Sequence, residues 1–517
     1  MSSLTLPPPL SLSDCFDIGT NNINILRYYK YSRKRRHMND SLSVLHSIIK
    51  KKQRTNKSHV LSSDKKRVVH RSVKRYKILV REIDGSLRQI LPTDTLWYLL
   101  YIQSPPRNHR LRKIFRRRFR LNHNSFLELS NEISKHSLFA RWSNKDGSGA
   151  ESSDIRLLCL GALRYIGRGF TFDDIEEATA ISAEVNRVFF HLFLEFGSTV
   201  LYNNHVTVPA STTPPSEWES LFKQAGFPGC IGSSDATHVG MLKCHSWATI
   251  NHKGHKLNVP SRTYNTTVSH TRQILGTTFG HPSTWNDKTV ILYDEVVRNV
   301  KTGHLFNDHE FTLLEYDKEG NIVAVLYSGV WFMVDNGYLS WSCTVPPLKH
   351  ATTYKSIRFS EWLESIRKDV ECTFGILKGR FGVLRYGIRL QSIEKCDQLY
   401  LTCCALHNRL LFVDGLHKKW KEGTESDWER MNREETVPFA VRRLNSVSSN
   451  HGNTEKDENV TVDPGNNPFK DCTVGGKRVV SKMTLELFQN RLIEHFDIQF
   501  KKNAINWPSR IQTPSVY

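Results

Sequence analysis

Apolar residues at Ile155, Leu158, Cys159, Ala162, Leu163 and Ile166 recur at helical spacing and make one stripe. Ser153 or Asp154 can cap the start of this helix, and Gly167 and Gly169 stop it. Thr171 with Asp174 three residues on forms a capping box for a short second helix. "TAIS" then turns the chain, and Ser182 caps a third helix with Val185, Val188, Phe189, Leu192 and Phe196 on one face. Helix, short helix, tight turn, helix is the layout of a helix-turn-helix. Its third helix offers Ala183, Glu184, Asn186 and Arg187 to a nucleic acid, although Glu184 would repel phosphate. A three-helix packing module is the plainer reading.

The pattern changes after the linker "PASTTPPSEWESLF". From Gly229 to about Leu411, the runs "GCIGSSDATHVGML", "TYNTTVSH", "RQILGTTFG" and "VAVLYSGVWFMVD" are rich in Val, Ile, Thr and aromatic residues with turn signals between them, which predicts strands. Asp287 to Asn299 reads as a helix between strands. "SEWLESIRKDVECTFGILKGRFG" is helical by period, with Trp362, Ile366, Val370, Phe374 and Leu377 on one side. "CDQLYLTCCALHNRLLF" reads as a second amphipathic helix covering the sheet. Strands followed by covering helices predict a mixed α/β domain. After Asp414 the chain turns acidic and polar, a stretch near Ser446 to Asn467 reads as disordered, and "MTLELFQNRLIEHFDIQF" closes with an amphipathic helix. The expected organisation is a basic, largely disordered arm (1–110), a helical domain of helix-turn-helix type (111–205), an α/β domain (206–415) and a polar extension with a terminal helix (416–517).

Charge sharpens this picture. Residues 1–120 hold 28 of the 72 Lys/Arg and only 7 of the 51 Asp/Glu, so all of the net +21 lies there and the remainder is neutral. A cationic arm points to a polyanion, and with no lipidation or amphipathic membrane signature nucleic acid leads. The clusters "YSRKRRH" and "IKKKQRTNK" read as nuclear-import signals or phosphate contacts, or as a solvated tail. No apolar run is long enough for a membrane span, and the N-terminus lacks the basic and apolar regions of a secretory signal. The ten cysteines are scattered without a CxxC pair, which fits a reducing compartment. The Cys244, His245, His252 and His255 loop has no recognisable zinc spacing.

Three acids interrupt or end apolar elements that belong in a core: Asp235 after "GCIGSS", Asp335 after "VWFMV", and Glu371 on the striped helix. A carboxylate in such a place costs desolvation energy unless a cation meets it. Converging carboxylates repel one another, and divalent ions with oxygen preference, Mg²⁺ above all, relieve that repulsion. Two such ions roughly 3.5–4 Å apart can activate a nucleophile and stabilise a leaving oxygen in phosphodiester cleavage. Each acid also has a structural reading. Asp335 before Asn336-Gly337 is a good turn former, Asp235 can cap a loop, and Glu371 lies four residues after Arg367 as in an ordinary helix pair.

The phrases "FPGCIGSSDATHV", "RTYNTTVSHTRQILGTTFGHPSTWNDKTV", "FMVDNGYLSW", "RKDVECTFGILKGRFGVL" and "CCALHNRLL" resemble the DDE-type transposase domain of the PIF/Harbinger family and its transposase-derived nucleases. The resemblance spans about residues 111–500. It implies an RNase H-like fold in which Asp235, Asp335 and Glu371 are the catalytic, metal-binding acids holding Mg²⁺ or Mn²⁺, two ions in all. Glu361 and Glu364 are rivals for the third place, and "KDVECTFG" favours Glu371. His238 follows the first acid as in the family's DxTH phrase, where it orients phosphate, pairs with an acid or serves as a bonded core histidine. Asn286 and Asp287 fall in a WND phrase, with helix capping by Asp287 the plainer role. The context "SSDAT" departs from the family's commoner small residues without touching metal binding. The implied function is a nuclear DNA endonuclease or transposase, partnered by DNA, a separate Myb-like DNA-binding protein and a second copy of the chain. A domesticated, catalytically inactive DNA- or partner-binding protein is the alternative, and a two-metal phosphatase is a distant third.

Overall fold

The computed structural model describes residues 79–81, 86–142, 152–415, 473–474 and 476–505. All belong to the compact unit Tyr76–Tyr517. The basic clusters at 31–37 and 49–57 and the polar stretch between 416 and 472 lie outside the described residues.

The N-terminal half of this unit is helical: α1 (His109–Phe119), α2 (His123–Lys135), α3 (Ile155–Arg168), α4 (Phe172–Thr179) and α5 (Ala183–Phe196). The caps are those the sequence carries. The Asp154 carboxylate accepts from the Arg156 N–H, and Gly169 ends α3 in the left-handed region at φ 72°. Thr171 and Asp174 close their capping box, and Ser182 accepts from the Val185 N–H at the start of α5. The buried face of α5 differs from the expected stripe. Asn186, Phe189, Phe190, Phe193, Leu194 and Phe196 are buried, whereas Val185, Val188 and Leu192 are only half-buried. The helix is packed on more than one side, so a wider arc is covered than a single stripe implies. Asn186, read as open to nucleic acid, is in the core: its amide donates to the Ile181 carbonyl at 2.8 Å and the Ser182 carbonyl at 3.2 Å.

After α6 (Pro215–Gln224) comes the sheet half. Its elements in chain order are β1 (Cys230–Gly240), α7 (Ser246–His252), β2 (Ser261–Val268), β3 (Ile274–Thr277), α8 (Glu295–Lys301), β4 (Glu310–Tyr316), β5 (Ile322–Ser328), β6 (Trp331–Met333), β7 (Thr344–Val345), α9 (Tyr354–Arg380), α10 (Ile393–Val413), β8 (Lys477–Val479) and α11 (Leu485–Lys501). The central sheet runs β7–β6–β1–β2–β3, with the two-residue strand His281–Pro282 also paired to β2, and is mixed: β1 is antiparallel to β2 and parallel to β6, and β6 is parallel to β7. The residues from Asp287 do not make one helix. A turn at Asp287–Val290 and a 3₁₀ segment give way to α8, which Asp294 caps.

The run "VAVLYSGVWFMVD" serves two sheets. Gly329, at φ 106°, breaks it, so that β5 joins a second sheet with β4 and β8 while β6 enters the central one. The apolar continuity beyond Gly329 reflects burial on both faces. Trp331 and Met333 pack with Phe227, Phe359, Ile366, Phe488 and Phe496, and Val330, Phe332 and Val334 pack with Ile231, Ile291 and Val297. The α11 helix is built into the first of these clusters through Phe488, Leu492 and Phe496.

The α10 helix is not amphipathic as expected. Nearly every residue from Cys396 to Leu411 is buried, because the helix is enclosed by the helical half and the sheet. Gly197 permits that approach, since a Cβ there would meet the Thr402 side chain at 2.4 Å. The buried acids of α10 and α9 have their partners on or just beyond β2. Arg262 pairs with Asp397 at 2.6 Å, where Tyr264 also donates, and Asp369 of α9 pairs with His270 and Arg272. No described helix is long and apolar enough to cross a membrane.

Candidate active site

The parallel pairing of β1 with β6 sets the site. Ser233 is in register with Met333, the last residue of β6, so Asp235, two residues on in β1, and Asp335, two residues past β6, follow at neighbouring positions, and the Asp335 charge is felt at Asp235. The Asp235 face of β1 is covered by α9. Asp235 is within β1, opposite Thr266 of β2, and not at a strand's end as its sequence context suggested. Asp335 stands just past β6, where the Val334 N–H still donates to the Val345 carbonyl.

Burial pushes the Asp235 carboxyl up to about 6, the charges of Asp335 and Asp287 push the same way, and the Ala236 N–H and the Arg367 charge oppose them. Its side chain is 18% exposed. The Ala236 N–H donates to Oδ1 at 2.7 Å, and Arg367 approaches Oδ2 at 3.5 Å. Asp335 fills the turn role that its sequence allowed, and it also bears on the first acid. Its Oδ1 accepts from the Gly337 N–H at 2.7 Å, an Asx turn over Asn-Gly, while its charge is felt at Asp235.

Asp287 is a third carboxylate beside these two, and sequence reasoning set it aside as a helix cap. The cap is in fact Asn286, whose Oδ1 accepts from the Thr289 N–H and hydroxyl at 2.9 and 2.8 Å. This leaves the Asp287 carboxylate for Asp335: a Cβ built on Gly337 would lie 3.0 Å from Asp335 Oδ1 and 3.2 Å from Asp287 Oδ2. Burial first, and then the Asp335 charge, raise the Asp287 carboxyl above its ordinary range against the pull of Lys256. The signal available in the sequence was the WND phrase itself, since an Asn able to cap frees the acid that follows.

The third predicted acid, Glu371, lies on α9 with its side chain 49% exposed, so it does not bear the burial cost expected of it. It reaches the other acids through Arg367, whose guanidinium lies 3.1 Å from Glu371, 2.8 Å from Glu364 and 3.5 Å from Asp235. Glu364 and Glu371 thus both reach Asp235 only through Arg367, and Glu371 is exposed as Glu361 is. Among the described residues no three His, Cys, Asp or Glu side chains are placed to hold one ion.

His238 leaves the opposite face of β1 from Asp235 and bonds Thr263 Oγ1 through Nδ1 at 2.9 Å. Burial, with Lys256, Lys378 and His255 around it, lowers its pKa to about 4, so the ring is neutral near pH 7. Its Nε2 is buried with no hydrogen-bond partner among the described residues. Beneath the acids, buried Tyr338 donates to Asn265 Oδ1 at 2.6 Å, and Asn265 donates onward to Asp294 and Ser234. Chemically, the site is a set of hard oxygen donors with more negative charge than Arg367 and Lys256 balance. Oxygen donors of this kind are the ones hard divalent cations prefer.

Two comparisons bear on this arrangement. Residues 215–420 match the family model described as "Plant transposon protein", a segment that contains Asp235, Asp287, Asp335, Arg367 and Glu371. Over 201 residues the chain is 24% identical to the mouse protein named "Putative nuclease HARBI1", which covers 37% of this chain and 48% of that protein. The chain therefore spans about half the length of this curated relative. No solved structure matches the chain. Residues 215–420 are thus similar to plant transposon proteins of the PIF/Harbinger-like kind that the motifs resemble.

Proposed function

We propose that this chain is a divalent-metal-dependent DNA endonuclease or transposase built on an RNase H-like α/β domain. The observation that carries the reading is the register that sets Asp235 and Asp335 at neighbouring positions within the segment matched to the transposon proteins, with Asp235 held up to about 6 by burial and by its acidic neighbours. Asp235 and Asp335 would hold the ions, Mg²⁺ or Mn²⁺ and two in number, with Glu371 completing the set from α9. Bound there, the ions supply Lewis-acid activation of phosphate and a water of lowered pKa.

The chain's own groups prepare the site. The Ala236 and Gly337 N–H groups each fix one carboxylate oxygen and so orient the other. Apolar packing on both sides of β6 keeps that strand, and hence Asp335, from shifting. The reaction is hydrolysis of a phosphodiester by water to a 5′-phosphate and a 3′-hydroxyl, and in strand transfer that 3′-oxygen attacks a second DNA phosphodiester, forming a new P–O bond as the target strand's own 3′-oxygen leaves. The cationic residues 1–120 hold the DNA by its phosphates. Nuclear residence, a Myb-like DNA-binding partner and self-association complete the proposal.

Purified protein is expected to nick supercoiled plasmid with Mg²⁺ or Mn²⁺ and to stop in EDTA, and Asp335→Ala is expected to abolish nicking. Unchanged nicking by Asp335→Ala overturns the assignment. One observation favours a second reading, a DNA- or partner-binding protein without catalysis: a cation of the chain itself, Arg367, already stands beside Asp235 and links it to Glu371. That reading predicts salt-sensitive DNA binding with no cleavage under any divalent ion.

A further inference from the structure

The third acid meets the first through a cation that belongs to the chain. Arg367 is 8% exposed, and its guanidinium touches three carboxylates from two elements: Asp235 of β1, and Glu364 and Glu371 of α9. The two helix contacts follow from spacing, since residues three before and four after Arg367 share its side of α9. The contact to β1 does not, because Arg367 and Asp235 are brought together only by the packing of α9 on the sheet.

Resting on the metal-dependent reading above, we propose that Arg367 is a resident counter-ion. It holds Asp235 and Glu371 together in the ion-free protein, and a divalent ion must displace it from Asp235. Arg367 thereby sets the ion concentration at which the site fills.

The competition follows from geometry and charge. Asp235 has one oxygen engaged by the Ala236 N–H and the other facing Arg367 at 3.5 Å. A divalent ion would take that second oxygen at about 2.0–2.2 Å, too close for a guanidinium to keep its place. The two cations also repel each other across a half-buried site, where charge is poorly screened. Without an ion the guanidinium is needed, because Asp335 and Asp287 already crowd Asp235 with negative charge. When displaced from Asp235 it keeps its partner Glu364, so the switch leaves no buried cation unpaired.

The test compares wild type with Arg367→Met, which keeps the length and apolar stem and removes the charge. Thermal unfolding is followed in EDTA and across a Mn²⁺ titration, and Mn²⁺ binding is measured by calorimetry. Arg367→Met is expected to lose Tm in EDTA and to be half-saturated at a Mn²⁺ concentration about tenfold lower or more. Arg367→Lys, a charge without the planar fork, is expected to fall between the two and serves if the Met variant does not fold. A purely structural ion pair would lower Tm without moving the Mn²⁺ midpoint, and that result overturns the proposal while leaving the metal site intact. Failure of wild type and both variants to respond to Mn²⁺ overturns the proposal together with the metal-dependent reading.

Discussion

The strongest physical handle on the site is the energy stored in Asp235. Burial and two neighbouring acids raise its carboxyl from 3.8 to about 6. Keeping it ionised at neutral pH then costs on the order of 3 kcal/mol relative to the unfolded chain. Asp235→Asn removes that charge and keeps an oxygen for the Ala236 N–H, but it also takes a partner from Arg367 at 3.5 Å. After discounting for that loss and for partial exposure, the metal-free variant should be about 1–2 kcal/mol more stable than wild type near pH 8. The sign follows from proton counting. Between about pH 4 and 6 the folded state holds the Asp235 proton more tightly than the unfolded state, so wild-type stability falls as pH rises through that window. The advantage of Asn should therefore be full above pH 6 and shrink toward zero by about pH 4. Urea midpoints of both proteins in EDTA, at pH values bracketing the window, measure it. A variant less stable than wild type at pH 8, or a gap independent of pH, refutes the reasoning. Added Mg²⁺ should stabilise only the wild type, so that the residue that most weakens the empty site most strengthens the loaded one.

Other perturbations reach the scaffold around the acids. Gly232→Ala would set a Cβ 2.6 Å from the Val268 carbonyl oxygen, at the irregularity where β1 meets β6, and should cost about 3 kcal/mol or more in the urea midpoint. An unchanged midpoint would show that β1 can move relative to β2. In α5, Asn186→Ala takes the side-chain donor from the Ile181 carbonyl, while the Ser182 carbonyl keeps the backbone N–H of residue 186, and should cost about 1–3 kcal/mol, whereas Arg187→Ala, exposed and paired with Glu184, should stay within about 0.5 kcal/mol. Equal effects of the two substitutions on Tm would contradict the burial of Asn186.

Much of the chain was legible because the physics is local. Helix caps at Asp154, Thr171 and Ser182 satisfy backbone N–H groups two or three residues away, so the sequence alone carries them. The turn after Asp335 is likewise written in Asn336-Gly337. The mixed α/β character was readable from the alternation of residue types, and the order of the acids was readable from their resemblance to known phrases. What could not be read was non-local. Whether "VAVLYSGVWFMVD" forms one strand or two depends on Gly329 and on which sheet accepts each half. The burial of α10 on all sides depends on the helical half closing over it, which no period in its own sequence reveals. Asp287 and Asp335, 48 residues apart, and Arg367 and Asp235, 132 apart, meet only because sheet register and helix packing bring them together. Sequence by itself determined where carboxylates could stand on buried elements. Only the tertiary structure decided which of them repel, which are neutralised and by what, because charge interactions depend on distance through space and on the loss of water between groups.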